Sequence, residues 1–283
     1  MEKKLIRRAF AKIAADFDAT DFFHREIGAR LLDRLEVIAC EPEFIVNLGS
    51  GTGQLSVELQ SRFPKAQTCS IDSSPEMLAA GAEHQISVCA DAEALPLGEG
   101  TADLVISNLM LQLCPDPPAA LAEVRRILNN SGLFLFTTLG PGSLMELGRS
   151  WATADRFTHI APFIEIRDLG NLLSQSGFTE PVLDAQILTI TYDELPKLLD
   201  ELRAGGSANA TRDRNPGLTG HNARQRFAAA YDQLRDAEGK YPVTLEVIFG
   251  VAWAGTSRTS DRGANDEISI PLERLLKSRK PGS

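Results

Sequence analysis

The stretch Phe44-Ile45-Val46-Asn47-Leu48-Gly49-Ser50-Gly51-Thr52-Gly53 decides the fold. An apolar run of strand length meets three glycines at alternate positions, and a helical pattern follows. Glycine suits such a turn because the chain bends tightly, a ligand must touch bare backbone, and the next helix presents free N–H groups. A structural glycine turn or a dinucleotide-binding turn would show the same pattern, so the neighbouring segments must decide.

Downstream, the apolar runs Thr68 to Ile71, Ile86 to Cys89, Leu104 to Ser107 and Leu133 to Thr137 alternate with helical patterns. That rhythm predicts parallel strands joined by right-handed crossovers. Leu121, Val124 and Leu128 mark a helix face that is expected to stop near Asn129-Asn130-Ser131-Gly132. The rhythm breaks at Gly140-Pro141-Gly142, and a helix is predicted around Arg167 to Gln175. Gln186 to Thr191 and the β-branched run Val243 to Trp253 supply the sixth and seventh strands. The expected architecture is α/β, a doubly wound, seven-stranded, mostly parallel sheet in a single domain over 1–254. N-terminal helices over 1–40 serve as a preamble or lid, and the arginine-rich segment 192–241 is an insertion capping the substrate side. The polar tail 255–283 is expected to be partly disordered.

With 283 residues, 43% of them hydrophobic, the chain can bury a sizeable core. Lys+Arg 29 against Asp+Glu 38 gives a net charge of -9, which argues against nucleic acid or anionic membrane as a partner. Cys40, Cys69, Cys89 and Cys114 show no CxxC spacing and no neighbouring histidine, so no metal site is expected. Neither a signal peptide nor a run of roughly 20 apolar residues is present, and the expected location is the cytoplasm.

Acidic and amide residues recur at the strand ends. Asp72 ends the second run about 20 residues after the glycine turn, where a carboxylate can accept from both ribose hydroxyls of a nucleoside. Asp91-Ala92-Glu93 with Leu95-Pro96 follows the third run, where a carboxylate can meet an adenine amino group, and the fourth run ends in Ser107-Asn108. One acidic strand end is more often a turn former than a ligand. Four signals in order, all at carboxyl ends of parallel strands, favour a ligand site.

Taken together, these motifs resemble those of class I, Rossmann-like methyltransferases over Phe44 to Thr138. The resemblance implies S-adenosylmethionine as cofactor, with Gly49, Gly51 and Gly53 at its methionine end, Asp72 on the ribose, Asp91 and Ala92 on the adenine, and Asn108 closing the pocket. Asn47 departs from the pattern, because that family usually carries Asp or Glu there to balance the cofactor ammonium. Arg25 is the candidate partner for the cofactor carboxylate, against the plainer reading of a solvated helix face.

Flanking segments resemble the malonyl-acyl carrier protein O-methyltransferases of biotin synthesis: Phe10 to Asp18; Ser107 to Cys114; Phe136 to Leu147 with Trp151; the insertion ending Gly217-Leu218-Thr219-Gly220; and Gly239 to Thr244. Phe17 stands where that family often has tyrosine, and Leu113 where it often has tryptophan. The resemblance implies methylation of the free carboxylate of a malonyl thioester held by acyl carrier protein. A carboxylate is ionised at neutral pH and needs no general base. One positioning cation is expected, with His159, Arg212 and Arg214 as candidates. Two alternatives stay open: a methyltransferase of another small carboxylate or a phenol-like or quinone-like acceptor, and a non-catalytic cofactor-binding paralogue, which Asn47 favours.

Overall fold

The computed structural model describes residues 1–81, 86–205, 211, 213–215, 217 and 219–255. Seven strands form one sheet: β1 Phe44–Leu48, β2 Gln67–Asp72, β3 Ile86–Cys89, β4 Ala102–Ser107, β5 Leu128–Leu139, β6 Thr179–Tyr192 and β7 Tyr241–Trp253. Their order is β3-β2-β1-β4-β5-β7-β6. β1 to β5 pair in parallel, and β7 runs antiparallel to both β5 and β6. The strand order reverses between β1 and β4, the place where open α/β sheets bind ligands.

The central strands are near-continuous apolar runs because helices cover both faces of the sheet. Val46 and Leu48 of β1, Val105 of β4 and Phe134 and Phe136 of β5 pack on one side, with Leu121 and Val124 of α6 (Pro117–Ile127) and Leu169 and Leu173 of α8 (Ile166–Gln175). Ile45, Leu104, Ile106 and Leu135 point to the other side, with Ile27, Leu31 and Leu35 of α3 (Phe22–Leu35) and Leu59 of α4 (Gln54–Arg62). α5 (Pro75–Ala80) follows β2. A third cluster joins α7 (Met145–Ala154) to the two helices lying between β6 and β7, α9 (Leu195–Ala204) and α10 (His221–Asp232).

The N-terminal segment forms α1 (Lys3–Ile13), α2 (Phe17–Thr20) and α3. A small apolar cluster of Ala14, Phe17 and Met77, with Phe10 and Ile13 against it, seats the first two helices on α5.

Two element boundaries differ from the sequence reading. α6 stops at Ile127, and Asn129 to Gly132 extend β5, where Ala102 pairs with Leu128 across a register shift. Asn129 there accepts from the Ser131 N–H at 2.9 Å and donates to Asp103, so its side chain braces a strand irregularity in place of capping a helix. β6 begins at Thr179, seven residues before the predicted start at Gln186; its early polar positions lie on an edge strand that, among the described residues, pairs with β7 alone. The tail 256–283 and Arg212 lie outside the described residues.

Candidate functional site

The glycine turn is built by the ends of β1 and β2. Gly49 and Ser50 donate their N–H groups to the Ile71 carbonyl at 2.8 and 3.0 Å. Gly49, Gly51 and Gly53 all hold positive φ, at 71°, 57° and 85°. Only glycine takes these angles without strain. Gly53 caps α4 in the left-handed conformation, and Gln54 and Leu55, at the start of that helix, line the cavity.

Asp72 closes the turn from below: one carboxylate oxygen accepts from Gly51 N–H at 2.9 Å and the other from Ser74 N–H at 2.8 Å. Burial pushes its carboxyl up, and the backbone donors work against that shift. Asn47 is buried beside the turn and donates to Ser56 Oγ at 2.8 Å, which meets Ser70 Oγ at 2.7 Å.

Asp91 and Glu93 both bind the Lys3 ammonium of α1, the former at 2.5 Å. Partial burial works to raise the Asp91 carboxyl, but Lys3 and the Glu93 N–H outweigh it and hold it below the usual carboxylate range. Lys3 therefore joins the N-terminal helix to the end of β3. A second tie runs from α2, where Asp18 accepts from Thr52 Oγ1 at 2.5 Å.

Asn108 pins the end of β4 to its surroundings. It donates to the His24 carbonyl at 2.8 Å and accepts from Thr137 Oγ1 at 2.7 Å. Thr137 in turn accepts from the N–H of Leu109, whose φ of 52° is unusual for a leucine.

These groups enclose a cavity of about 400 Å³, lined by Arg25, Asn47, the glycine turn, Asp72, Asp91, Ala92 and Asn108. The structure thus brings eight of the nine sequence-predicted cofactor positions to this lining; the ninth, Gly53, is the cap of α4. Phe17 and Leu113 line it too. The two described substrate candidates fall elsewhere. His159 stacks on Trp151 at 3.9 Å, hydrogen-bonds Asp155 at 2.9 Å and does not line the cavity. Arg214 pairs with Glu2 at 2.8 Å, which links the segment between β6 and β7 to the N-terminus.

Three features of the site were missed in the sequence: the Lys3 latch, the Asp18–Thr52 tie, and an Asp21–His24 pair on the cavity wall at 2.7 Å. Only the last had a local signal, an acidic N-cap three residues before a histidine.

A family model described as "Methyltransferase domain" matches residues 46–136. The malonyl-[acyl-carrier protein] O-methyltransferase of Gallionella capsiferriformans is 39% identical over 276 residues, 93% of this chain and 95% of its own length. That of Laribacter hongkongensis is 40% identical over 271 residues, 91% of each. The chain belongs to this methyltransferase family. Among solved structures, the YcgJ protein of Bacillus subtilis superimposes with a TM-score of 0.58 at 14% identity, covering 82% of this chain and 99% of that one, a likeness of fold alone.

A methyltransferase of this family uses S-adenosylmethionine, and the cavity fits that molecule. Its volume is ligand-sized. The buried hydroxyl of Ser50 has no hydrogen-bond partner among the described residues, an orphaned polar atom inside the glycine turn. The carboxylates of Asp72 and Asp91 line the cavity. In the methyltransferase site Asn47 can still serve as an acceptor, since its amide nitrogen is spent on Ser56. Asn47→Asp is expected to tighten S-adenosylhomocysteine binding by roughly 1 kcal/mol, because a charged acceptor faces the ammonium. The ligand-free protein should melt lower, because the new carboxylate is buried without a cation. Calorimetry and thermal unfolding check both signs; weaker binding would show that the Ser56–Ser70 network is tuned to the amide.

Proposed function

We propose that this methyltransferase esterifies the free carboxylate of a malonyl group carried as a thioester on acyl carrier protein. The observation that carries the reading is the reach of the similarity: the relatives match over more than nine-tenths of the chain, through the N-terminal helices and the segment between β6 and β7. Core motifs select the cofactor, and such flanking parts select the acceptor.

When bound, S-adenosylmethionine supplies a methyl group on a sulfonium as the electrophile. The chain contributes position. The glycine turn and Asp72 fix the cofactor, while Asn108 and its Thr137 bond set the wall at the end of β4. α1, latched by Lys3, covers the adenine side and limits water. Holding two reactants in line supplies roughly 7 to 11 kcal/mol of the barrier reduction, and an ionised acceptor requires no base. Initial rates on malonyl-carrier protein, free malonyl thioester and a phenol test the reading. Preference for the phenol would move the enzyme to a different acceptor class.

The carrier is acidic and so is this chain, so attraction must come from a local basic patch. Arg212 and Arg214 in the 192–241 segment are the proposed dock. The N-terminal alternative is weaker, because Lys3 is held by two carboxylates, Asp91 and Glu93, where Arg214 meets only one, Glu2, and because Arg7 lines the cavity. Reversing Arg212 and Arg214 to Glu is expected to slow the carrier reaction at low salt, less so at high salt, and to leave a small malonyl thioester unaffected. An unchanged rate at low ionic strength would remove this segment as the dock.

A further inference from the structure

The Asp21–His24 pair is assigned no part in the cofactor motifs, yet it stands on the wall of the cofactor cavity. Asp21 is buried and its Oδ1 accepts both the backbone N–H of His24, at 3.2 Å, and the ring Nδ1, at 2.7 Å. One carboxylate therefore caps α3 and fixes the imidazole on its first turn. The ring packs against Phe17 with centroids 5.6 Å apart, and the His24 carbonyl is held by Asn108. With Nδ1 engaged, Nε2 is left without a hydrogen-bond partner among the described residues.

The pair's place in the cavity limits what it can meet. Phe17 lies over the glycine turn, with a ring carbon 3.7 Å from where a Cβ on Gly51 would sit, and Asn108 ends β4. His24 thus neighbours the methionine side of the cavity, whereas Asp91 and Lys3 belong to the adenine side. The sulfonium methyl, and the acceptor that takes it, meet on the methionine side.

We propose that the Asp21–His24 pair is a carboxylate receptor at the methyl-transfer end of this cavity, with Nε2 as the donating atom. An imidazole with Nδ1–H bound to a carboxylate can take a proton on Nε2 and then donate to an incoming anion. In that form the positive charge would be shared with the Asp21 carboxylate at Nδ1. That matters for an acceptor carboxylate, since a full, unshared cation would hold the substrate well but quench its nucleophilicity and favour it over the neutral ester. A shared cation positions the group and leaves its lone pairs available. It also releases the ester, which carries no charge.

Two ligand carboxylates reach this end, the acceptor's and the one on the cofactor's amino-acid moiety. The inference rests on the methyltransferase reading, and its acceptor arm on the malonyl substrate as well. Two variants test it: His24→Phe keeps an aromatic ring against Phe17 and removes both nitrogens, and Asp21→Asn keeps the helix cap and removes the shared charge. Each is assayed for calorimetric affinity toward S-adenosylhomocysteine and toward methylthioadenosine, which lacks the amino-acid carboxylate, and for KM and kcat on malonyl-carrier protein. The expected result for His24→Phe is unchanged affinity for both nucleosides with KM for the carrier raised roughly tenfold or more. Asp21→Asn should move KM in the same direction by less. Loss of S-adenosylhomocysteine affinity with methylthioadenosine unchanged would keep the receptor and assign it to the cofactor carboxylate. If both nucleosides weaken alike, or if neither affinity nor KM moves, the receptor is overturned and the pair is a helix cap only. The nucleoside arm needs no acceptor, so failure of the malonyl reading is seen separately, as no turnover by the unmodified enzyme.

Discussion

Gly49→Ala is expected to weaken S-adenosylhomocysteine binding by roughly 3 kcal/mol, about a hundredfold, from two sources of strain. The residue sits at φ 71°, and a Cβ there would lie 2.3 Å from Cγ and 2.6 Å from Cβ of Met110. Those are the first two carbons of that side chain, so no rotation of its far end relieves the overlap, and either the turn or the start of the β4 loop must move. Gly51→Ala provides the internal comparison. Its φ is 57°, but the nearest contacts are the terminal methyl of Met77 at 3.3 Å and a Phe17 ring carbon at 3.7 Å, so the loss should be clearly smaller. Calorimetry on the two variants checks the order, and equal losses would show that backbone angle alone, and not Met110, governs the turn.

The second large effect is at Asp72. Asp72→Ala is expected to reduce cofactor affinity by roughly 1.5 to 3 kcal/mol while leaving the chain folded, since the charge-assisted bonds proposed to the ribose would be lost and Gly51 N–H loses its acceptor. The ligand-free protein supplies a separate sign. Burial raises the Asp72 carboxyl, and an acid whose folded pKa lies above its unfolded value costs stability once pH exceeds that range. Without ligand at neutral pH, Asp72→Asn should therefore melt no lower than the natural protein, yet bind the cofactor less well. That combination marks a residue kept for its ligand at the expense of the fold. A melting temperature that falls together with affinity would mean Asp72 serves chiefly to hold the turn.

The central sheet was legible because its strands are short apolar runs and its turns carry glycine or acidic residues at strand ends. The glycine turn, Asp72, Asp91 and Asn108 could be placed at the carboxyl ends of four strands from spacing alone, and the structure brings Gly49, Gly51, Asp72, Asp91 and Asn108 to one cavity. What could not be read were contacts between distant segments. Lys3 and Asp91 are 88 positions apart, and nothing local to Lys3 distinguishes it from the solvated charges around it. The surroundings of His159 were hidden for the same reason: its stacking on Trp151 and the bond of its Nε2 to Asp155 are tertiary contacts that its place in the sequence does not announce. At Asn129 to Gly132 a sequence that reads as a helix stop is drawn into β5, since pairing of Leu128 with Ala102 and the Asn129–Asp103 bond outweigh local preference.

The acceptor is tested most directly by mass spectrometry of malonyl-carrier protein incubated with this enzyme and S-adenosylmethionine bearing an isotopically labelled methyl group, with acetyl-carrier protein alongside. The account predicts that the malonyl carrier gains one labelled methyl, located on the malonyl group of the fragmented thioester arm, while the acetyl carrier, which has no free carboxylate, gains none. No label on the malonyl carrier from a protein that binds S-adenosylhomocysteine, or equal labelling of both carriers, would contradict it.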